Sequence, residues 1–392
     1  ELYENIALLS GGLRAKQYKR LLQFIDRGGN ILIAVDEFLT TQTRDFLQSC
    51  GVAVLPNTSV VVDHSSYALT ADSAPDHSIV LARGGRPLHP PLLPRYGRPD
   101  PAPPVAFRGI ALYTPDSSVL ATTVLRARHV SSFTQEEYQQ SVQHGTPISS
   151  GLALCTAVQA RNNARVVAAG SVDMFSNALM AARGNDGSAV GNGVFCHDIS
   201  MWAFAQTGVI RYRNISHAAV DGGRPDTVMH GHNTSWELPE SMYPDPEASK
   251  STPVYRVKDQ VVYSMIVEEF TGYEGGVELW RPFEADDIQM EFVMLEPYVR
   301  RTLARCREGD GCVPGQYSVK FTVPDTHGVF KLRVQYRRRG LSVLHAEEAV
   351  LVRPLKHNEF ERFIPAAYPY YVSVFSLMVG FLLLTFMLMF TK

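Results

Sequence analysis

Four groups of residues have types and spacing that chemistry could use. Asp63-His64 follows an apolar stretch and offers a base with a carboxylate to orient it. No nucleophile is identifiable beside the pair, and a capping Asp with a surface His accounts for the same residues. Ser171 and Asp173, in Gly170-Ser171-Val172-Asp173, fall where a strand is expected to hand over to a helix; an Asp there either binds Mg²⁺ or caps the helix and complements its dipole. His230 and His232, with His217 nearby, form the only His cluster, and a third metal ligand at defined spacing is missing. Ser10-Gly11-Gly12 can approach a phosphate through backbone amides, but it lacks the lysine or third glycine of phosphate-binding loops and reads as a turn. Trp202, Trp236 and Trp280 are isolated and make no stacking platform. The reading therefore assigns no catalytic residue, no cofactor and no metal site.

The elements that would carry these groups fall into two grammars. Through the first two hundred residues, short apolar runs alternate with helical periodicity. Leu2 to Leu9 reads as a strand, Lys16 to Asp26 as a helix stopped by Gly28-Gly29, and Ile31 to Val35 as a strand buried on both faces. A helix over Thr41 to Ser49, strands at Ser59 to Val62 and Arg165 to Ala169, and a helix over Asp173 to Ala182 continue an α/β pattern. Pro87 to Pro104 is expected to be an extended surface insertion. After about Val220 the period becomes two. Gln260 to Glu268, Ile288 to Leu295, Tyr317 to Val323, Val329 to Tyr336 and Ser342 to Val352 alternate apolar and polar residues, the pattern of an immunoglobulin-like β-sandwich without the Cys and Trp spacing of antibody domains.

The end of the chain changes the class of protein. Ile364 to Thr391 contains no Asp, Glu, Lys or Arg, and Tyr371 to Phe390 alone is long enough to cross a bilayer as one helix. Pro365 and Pro369 are expected just before the span, and Tyr368, Tyr370 and Tyr371 mark the water boundary. Ser373, Ser376 and Gly380 place small side chains on one face of that helix, a candidate packing surface in lipid. The expected division is an α/β region over 1–215, a β region over 216–360, and a juxtamembrane and transmembrane segment over 364–391.

Composition and modification sites narrow the setting. Lys plus Arg number 37 and Asp plus Glu 39, so no cationic excess favours nucleic acid. Asn57, Asn214 and Asn233 each begin an Asn-x-Ser/Thr triplet and are glycosylation candidates, which fits a luminal or extracellular domain. Arg353, Lys356 and Arg362 precede the span and only Lys392 follows it; charge counting alone puts the large region in the cytosol, whereas signal-directed translocation overrides nearby charge. Five cysteines leave one odd. Cys306 and Cys312 bracket a turn-rich Arg-Glu-Gly-Asp-Gly loop and suit a local disulfide, a free pair being the alternative. Glu1 is not an initiator, and a leader and a first βα unit are expected ahead of it.

Several segments resemble one family. Glu359-Phe360-Glu361-Arg362-Phe363-Ile364-Pro365-Ala366-Ala367-Tyr368-Pro369-Tyr370-Tyr371 is similar to the C-terminal signature of the forty-eight-kilodalton, non-catalytic subunits of the eukaryotic oligosaccharyltransferase. Phe24 to Asn30, Val62-Asp63-His64, Gly170 to Ser176 and Asp286 to Val293 match its pattern too, so the resemblance spans nearly the whole chain. It implies a flavodoxin-like (GIFT-type) domain followed by β-sandwich modules and one membrane helix, in a type I protein of the endoplasmic reticulum membrane with its bulk in the lumen. It further implies an accessory role in the complex that transfers a lipid-linked oligosaccharide to Asn of Asn-x-Ser/Thr. The partners implied are the polytopic catalytic subunit and small membrane subunits, with translocon or ribosome association through the complex. The proline-rich insertion, the Cys306 to Cys312 loop and the abrupt end at Lys392 depart from the family pattern.

Two other classes of function compete. A membrane-anchored enzyme would depend on Asp63, His64 or Asp173 for activity, while a surface adhesion or receptor protein built on the β region would acquire processed glycans.

Overall fold

A computed structural model describes residues 3–54, 60–69, 77–84, 91–97, 102–114, 118–127, 132–134, 152–185, 187–220, 253–306, 312–357, 359–360 and 364–391. Two bodies of sheet structure, each with its own apolar core, precede a C-terminal helix.

The first body is built on a mixed sheet. Asn5–Leu9, Asn30–Ala34 and Arg165–Ala169 lie side by side and parallel. Antiparallel strands then continue the sheet through Ala153–Gln159, Ala121–Arg126, Val80–Gly84 and Val105–Phe107. Every residue of Asn30–Ala34 and of Arg165–Ala169 is buried, as expected of parallel strands covered on both faces. The helices Ala15–Asp26 and Thr41–Ser49 contribute Leu21, Phe46 and Leu47 to the core on one side, while Asn192–Ala203 brings Phe195, Ile199 and Trp202 to the other. Thr40 caps the helix Thr41–Ser49, its Oγ1 accepting from the amide of Thr43.

Four expectations for this region need correction. Val61–Asp63 pairs with Ser132–Thr134 in a separate two-stranded ladder, not in the main sheet. The helix expected over Asp173 to Ala182 is a 3₁₀ turn, Asp173–Phe175, followed by the single helical turn Asn177–Met180. Ser176 interrupts it with extended backbone and caps the second piece. Within Pro87 to Pro104, the described residues Leu92, Leu93 and Tyr96 are buried, so this part is no surface insertion. Two backbone amides there, of Arg95 and Tyr96, donate to the buried Asp198 carboxylate at 2.7 and 2.8 Å, and Tyr96 Oη donates to the Pro103 carbonyl at 2.6 Å. Apolar Leu and Tyr among the prolines, fixed by one acid on a helix, pull the segment inward. The fourth correction concerns Trp280: it is not isolated, because its ring meets Phe270 at 5.3 Å and the Arg211 guanidinium lies 3.7 Å from its centroid.

The second body is a sandwich of two five-stranded sheets. One contains Ile210–Ala219, Gln260–Glu274, Gln316–Thr322 and Ala304–Arg305, with Val277–Pro282 folded back on Gln260–Glu274. The other runs Val254–Arg256, Leu344–Arg353, Gly328–Tyr336, Gln289–Val293, Pro297–Thr302. Val261, Tyr263, Met265 and Val267 from the first sheet share one core with Met290, Phe292, Leu332 and Val334 from the second. Alternate burial along Gln260–Glu274 is the period-two signal the sequence carries. Ile210–Ala219 is a single strand, and the division expected at 215/216 falls inside it.

The last helix, Ile364–Phe390, includes Ala367–Phe390, 24 residues with a mean hydropathy of 2.4 and no burial against the rest of the chain. Pro365 and Pro369 lie inside this helix instead of before it. Both belong to its first two turns, where a proline sacrifices at most one ladder bond.

Candidate functional site

The sequence-derived candidates are mostly held by structural bonds. Asp63 is buried, and its Oδ1 accepts from the Ser65 amide (2.9 Å), the Ser65 hydroxyl (3.0 Å) and the Ser66 amide (2.9 Å). That is a turn-capping carboxylate. His64 stacks edge-on with His77 at 4.8 Å between centroids. Ser171 Oγ accepts from the Met174 amide at 3.0 Å, so the serine caps the 3₁₀ turn, while Asp173 pairs with Arg108 at 3.2 Å on a half-exposed surface. Gly170 has a different reason to be glycine: a Cβ there would stand 2.1 Å from the Ile110 carbonyl oxygen. The Gly11 carbonyl accepts from Thr40 and Thr43, which ties Ser10-Gly11-Gly12 to the start of the helix Thr41–Ser49 as an ordinary turn.

His217 is buried between Tyr255, bonded to its Nδ1, and Glu348, 3.0 Å from its Nε2. His230, His232, Trp236, Asn57 and Asn233 lie outside the described residues. Among the described residues, no group of three or more His, Cys, Asp or Glu is arranged to hold a metal ion. Asn214 is exposed, at a register shift of Ile210–Ala219, with φ +46°. Cys306 and Cys312 face each other with Cα atoms 6.4 Å apart, within disulfide reach. Ser373, Ser376 and Gly380 share an exposed face of the last helix, and the two hydroxyls donate back to the Tyr370 and Ser373 carbonyls at 2.8 and 2.9 Å.

The most heavily built polar arrangement is one the sequence reading did not single out: the seam between the two bodies. Arg165, 1% exposed, heads a strand of the first body. Its guanidinium donates to the carbonyls of Trp202 (2.8 Å), Thr207 (2.6 Å) and Gly208 (2.8 Å), in the segment that leads into the second body. Burial lowers its pKa to about 10, since no carboxylate is among these partners. The loop between Gly328–Tyr336 and Leu344–Arg353 closes on the same place. Trp202 Nε1 donates to the Gly340 carbonyl at 2.8 Å, Gln159 Nε2 to the Leu341 carbonyl at 2.7 Å, and the Val343 amide to Asn163 Oδ1 at 2.7 Å. Ser342 links both sides, its amide donating to the Gly208 carbonyl (2.8 Å) and its hydroxyl exchanging bonds with Ile210. Gly208 adopts φ +65°, and a Cβ there would stand 2.3 Å from the Gly340 oxygen. Chemically the seam is a set of matched donors and acceptors. It fixes two bodies in one orientation and presents no activated nucleophile. The signal available in the sequence was a single charged residue, Arg165, opening the otherwise apolar run Val166 to Ala169.

Comparison with known proteins places the chain. Residues 2–206 match the family described as OST48, N-terminal domain, and residues 243–392 match the OST48 middle domain. The 48 kDa subunit of dolichyl-diphosphooligosaccharide–protein glycosyltransferase from Drosophila melanogaster is 32% identical over 403 aligned residues, covering 100% of this chain and 81% of the relative. Its counterparts from Danio rerio and Caenorhabditis elegans are 31% and 30% identical, covering 97% and 100% of this chain and 78% and 81% of the relatives. With both bodies and the apolar helix inside these alignments, the chain belongs to the family of the 48 kDa oligosaccharyltransferase subunit.

Proposed function

We propose that the chain is an accessory, non-catalytic subunit of the oligosaccharyltransferase complex, which moves a lipid-linked oligosaccharide onto Asn of Asn-x-Ser/Thr. The observation that carries this reading is the alignment of the whole chain, anchor included, with relatives named as subunits of that enzyme. In this reading the first body is the flavodoxin-like GIFT-type domain and the second an immunoglobulin-like module, both luminal. The helix Ile364–Phe390 is the single type I span in the endoplasmic reticulum membrane. The chain's work is assembly: it meets the polytopic catalytic subunit and small membrane subunits, and reaches translocon or ribosome only through them. Support for a non-catalytic role comes from Asp63, whose carboxylate caps a turn, and from Asp173, which pairs with Arg108.

The test is purification of the full chain from membranes in mild detergent, together with glycan analysis. Co-purification of the other subunits, and high-mannose glycans at whichever of Asn57, Asn214 and Asn233 is occupied, are expected. Loss of glycosylation in cells carrying only Asp63→Asn or Asp173→Asn, with the complex intact, would favour an enzyme instead. Processed glycans would favour a surface protein.

A further inference from the structure

A cleft of about 310 Å³ opens beside the seam, with Trp202 and Gly340 in its lining. Both bodies build it: Val119, Leu120 and Arg161 come from the first, and the run Arg337-Arg338-Arg339 from the second. Among the described residues, no carboxylate lines it. One of its four arginines is already neutralised, because Arg338 is held by Asp287 and lies 5.0 Å from the Tyr336 ring centroid. Arg161, Arg337 and Arg339 are exposed and form no ion pair among the described residues. Beside them Val119 is 71% exposed and Leu120 38%, an apolar rim in open solvent.

Unpaired guanidinium groups gathered on one cleft repel one another, and a carboxylate relieves that repulsion while matching the planar fork of the guanidinium. The apolar rim adds a requirement. An inorganic anion gains nothing from Val119 and Leu120, and at exposed arginines it is screened by salt. A polypeptide that carries an acidic residue next to an aliphatic one satisfies both halves, and the volume suits one or two side chains. We propose that this cleft docks an acidic segment of a neighbouring polypeptide, its carboxylate on Arg161, Arg337 and Arg339 and an aliphatic side chain on Val119 and Leu120. Because the walls come from both bodies, the site exists only while the seam is closed, so docking reports the relative placement of the two. The inference rests on the subunit reading above, since it supplies the chain with protein neighbours.

The test places a photo-crosslinking amino acid at Val119 of the full chain, assembled in membranes and purified as the complex. One adduct is expected, on a peptide of another polypeptide that contains Asp or Glu. Combining Arg161→Glu, Arg337→Glu and Arg339→Glu should cut its yield by roughly tenfold or more. Replacing the mapped acidic residue of the partner with Lys should restore it, a rescue that a folding defect would not show. An adduct on lipid, an adduct on a peptide without acidic residues, or an undiminished yield from the charge-reversed chain overturns the proposal. If the other subunits are absent from the unmodified preparation, the subunit reading itself fails; if they are present without an acidic adduct at Val119, only the docking site does.

Discussion

The guanidinium of Arg165 lies 4.8 Å from the centroid of the Trp202 ring, and the two side chains donate to four of the seam carbonyls. Arg165 serves those of Trp202, Thr207 and Gly208, and Trp202 serves that of Gly340. One stacked pair thus joins the end of a helix, the connecting segment and a loop of the second body. Arg165→Met keeps the apolar stem but removes three bonds from a charged donor and leaves the Thr207 carbonyl without one, whereas the Gly208 carbonyl keeps the Ser342 amide and the Trp202 carbonyl keeps the Ala205 amide. A bond to a charged group contributes about 1.5–3 kcal/mol, and a buried group left without a partner costs about 1–3 kcal/mol. The expected outcome is a loss of roughly 3–5 kcal/mol, read as a lower unfolding midpoint of the detergent-solubilised chain. Trp202→Phe should lose less, about 1–3 kcal/mol, because it removes a single bond, the one to the Gly340 carbonyl. The double variant should fall short of the sum, since both residues act on one segment. A strictly additive double variant would show that the two are energetically independent.

Much of the fold is legible in the sequence because it is written in local periods. Ile31 to Val35 and Val166 to Ala169 are apolar throughout and became buried parallel strands; Gln260 to Glu268 alternates and became a sandwich strand. Neighbour relations are not local. One of the two partners of Asn30–Ala34 stands more than a hundred residues away, at Arg165–Ala169, and no periodicity records that choice. The seam was illegible for the same reason. Gln159, Trp202 and Ser342 look unremarkable one by one, and each acquires its role only when the loop at 340–343 comes back to the first body. Pro369 misled in the other direction, because a proline near a helix start is compatible with the helix beginning on either side of it.

Cys306 and Cys312 are expected to form a disulfide, and the remaining thiols to stay free. Closing so short a loop constrains the unfolded chain by only about 2 kcal/mol, so Cys306→Ser with Cys312→Ser should leave both sheets folded. Burial pushes the thiols of Cys50 and Cys196 up to about 12 and that of Cys155 higher still, so alkylation near pH 8 should reach them only after unfolding. Peptide mapping without reductant decides the matter: alkylated Cys306 and Cys312 in the native chain would refute the bridge.

The juxtamembrane strap should open in acid. Arg353 grips Glu359 with two bonds of 2.6 Å, and the Lys356 amide donates to the same carboxylate at 2.8 Å. Those bonds, Arg353 first, hold the Glu359 pKa at about 2, against an ordinary value of 4.5. A carboxyl depressed by folding stabilises fully above its unfolded pKa, and the contribution fades as pH falls from about 4.5 to about 2. Pepsin works across that window, and Phe360 is exposed beside the strap. Cleavage there should accelerate on acidification relative to Glu359→Gln, in which the charge is already gone. Equal cleavage of both chains near pH 4 would mean that the ion pair does not hold the segment.

The last helix offers a test of whether it packs as well as anchors. Ser373, Ser376 and Gly380 stand three and four apart, so they line one face, and both hydroxyls are satisfied within the helix. What that face offers a neighbour is therefore closeness of approach and not a hydrogen bond, the kind of contact that gains dispersion energy in lipid. Space around Gly380 is open: an added Cβ would meet nothing within 4 Å in this chain. Gly380→Leu thus carries no intrinsic packing penalty here, and any effect it has arises from a partner helix. Leu382 points about half a turn away, so Leu382→Ile is the control. If the face is an interface, Gly380→Leu should release other subunits on extraction while Leu382→Ile retains them. Equal recovery from both would assign assembly to the two sheet bodies and leave the helix as an anchor alone.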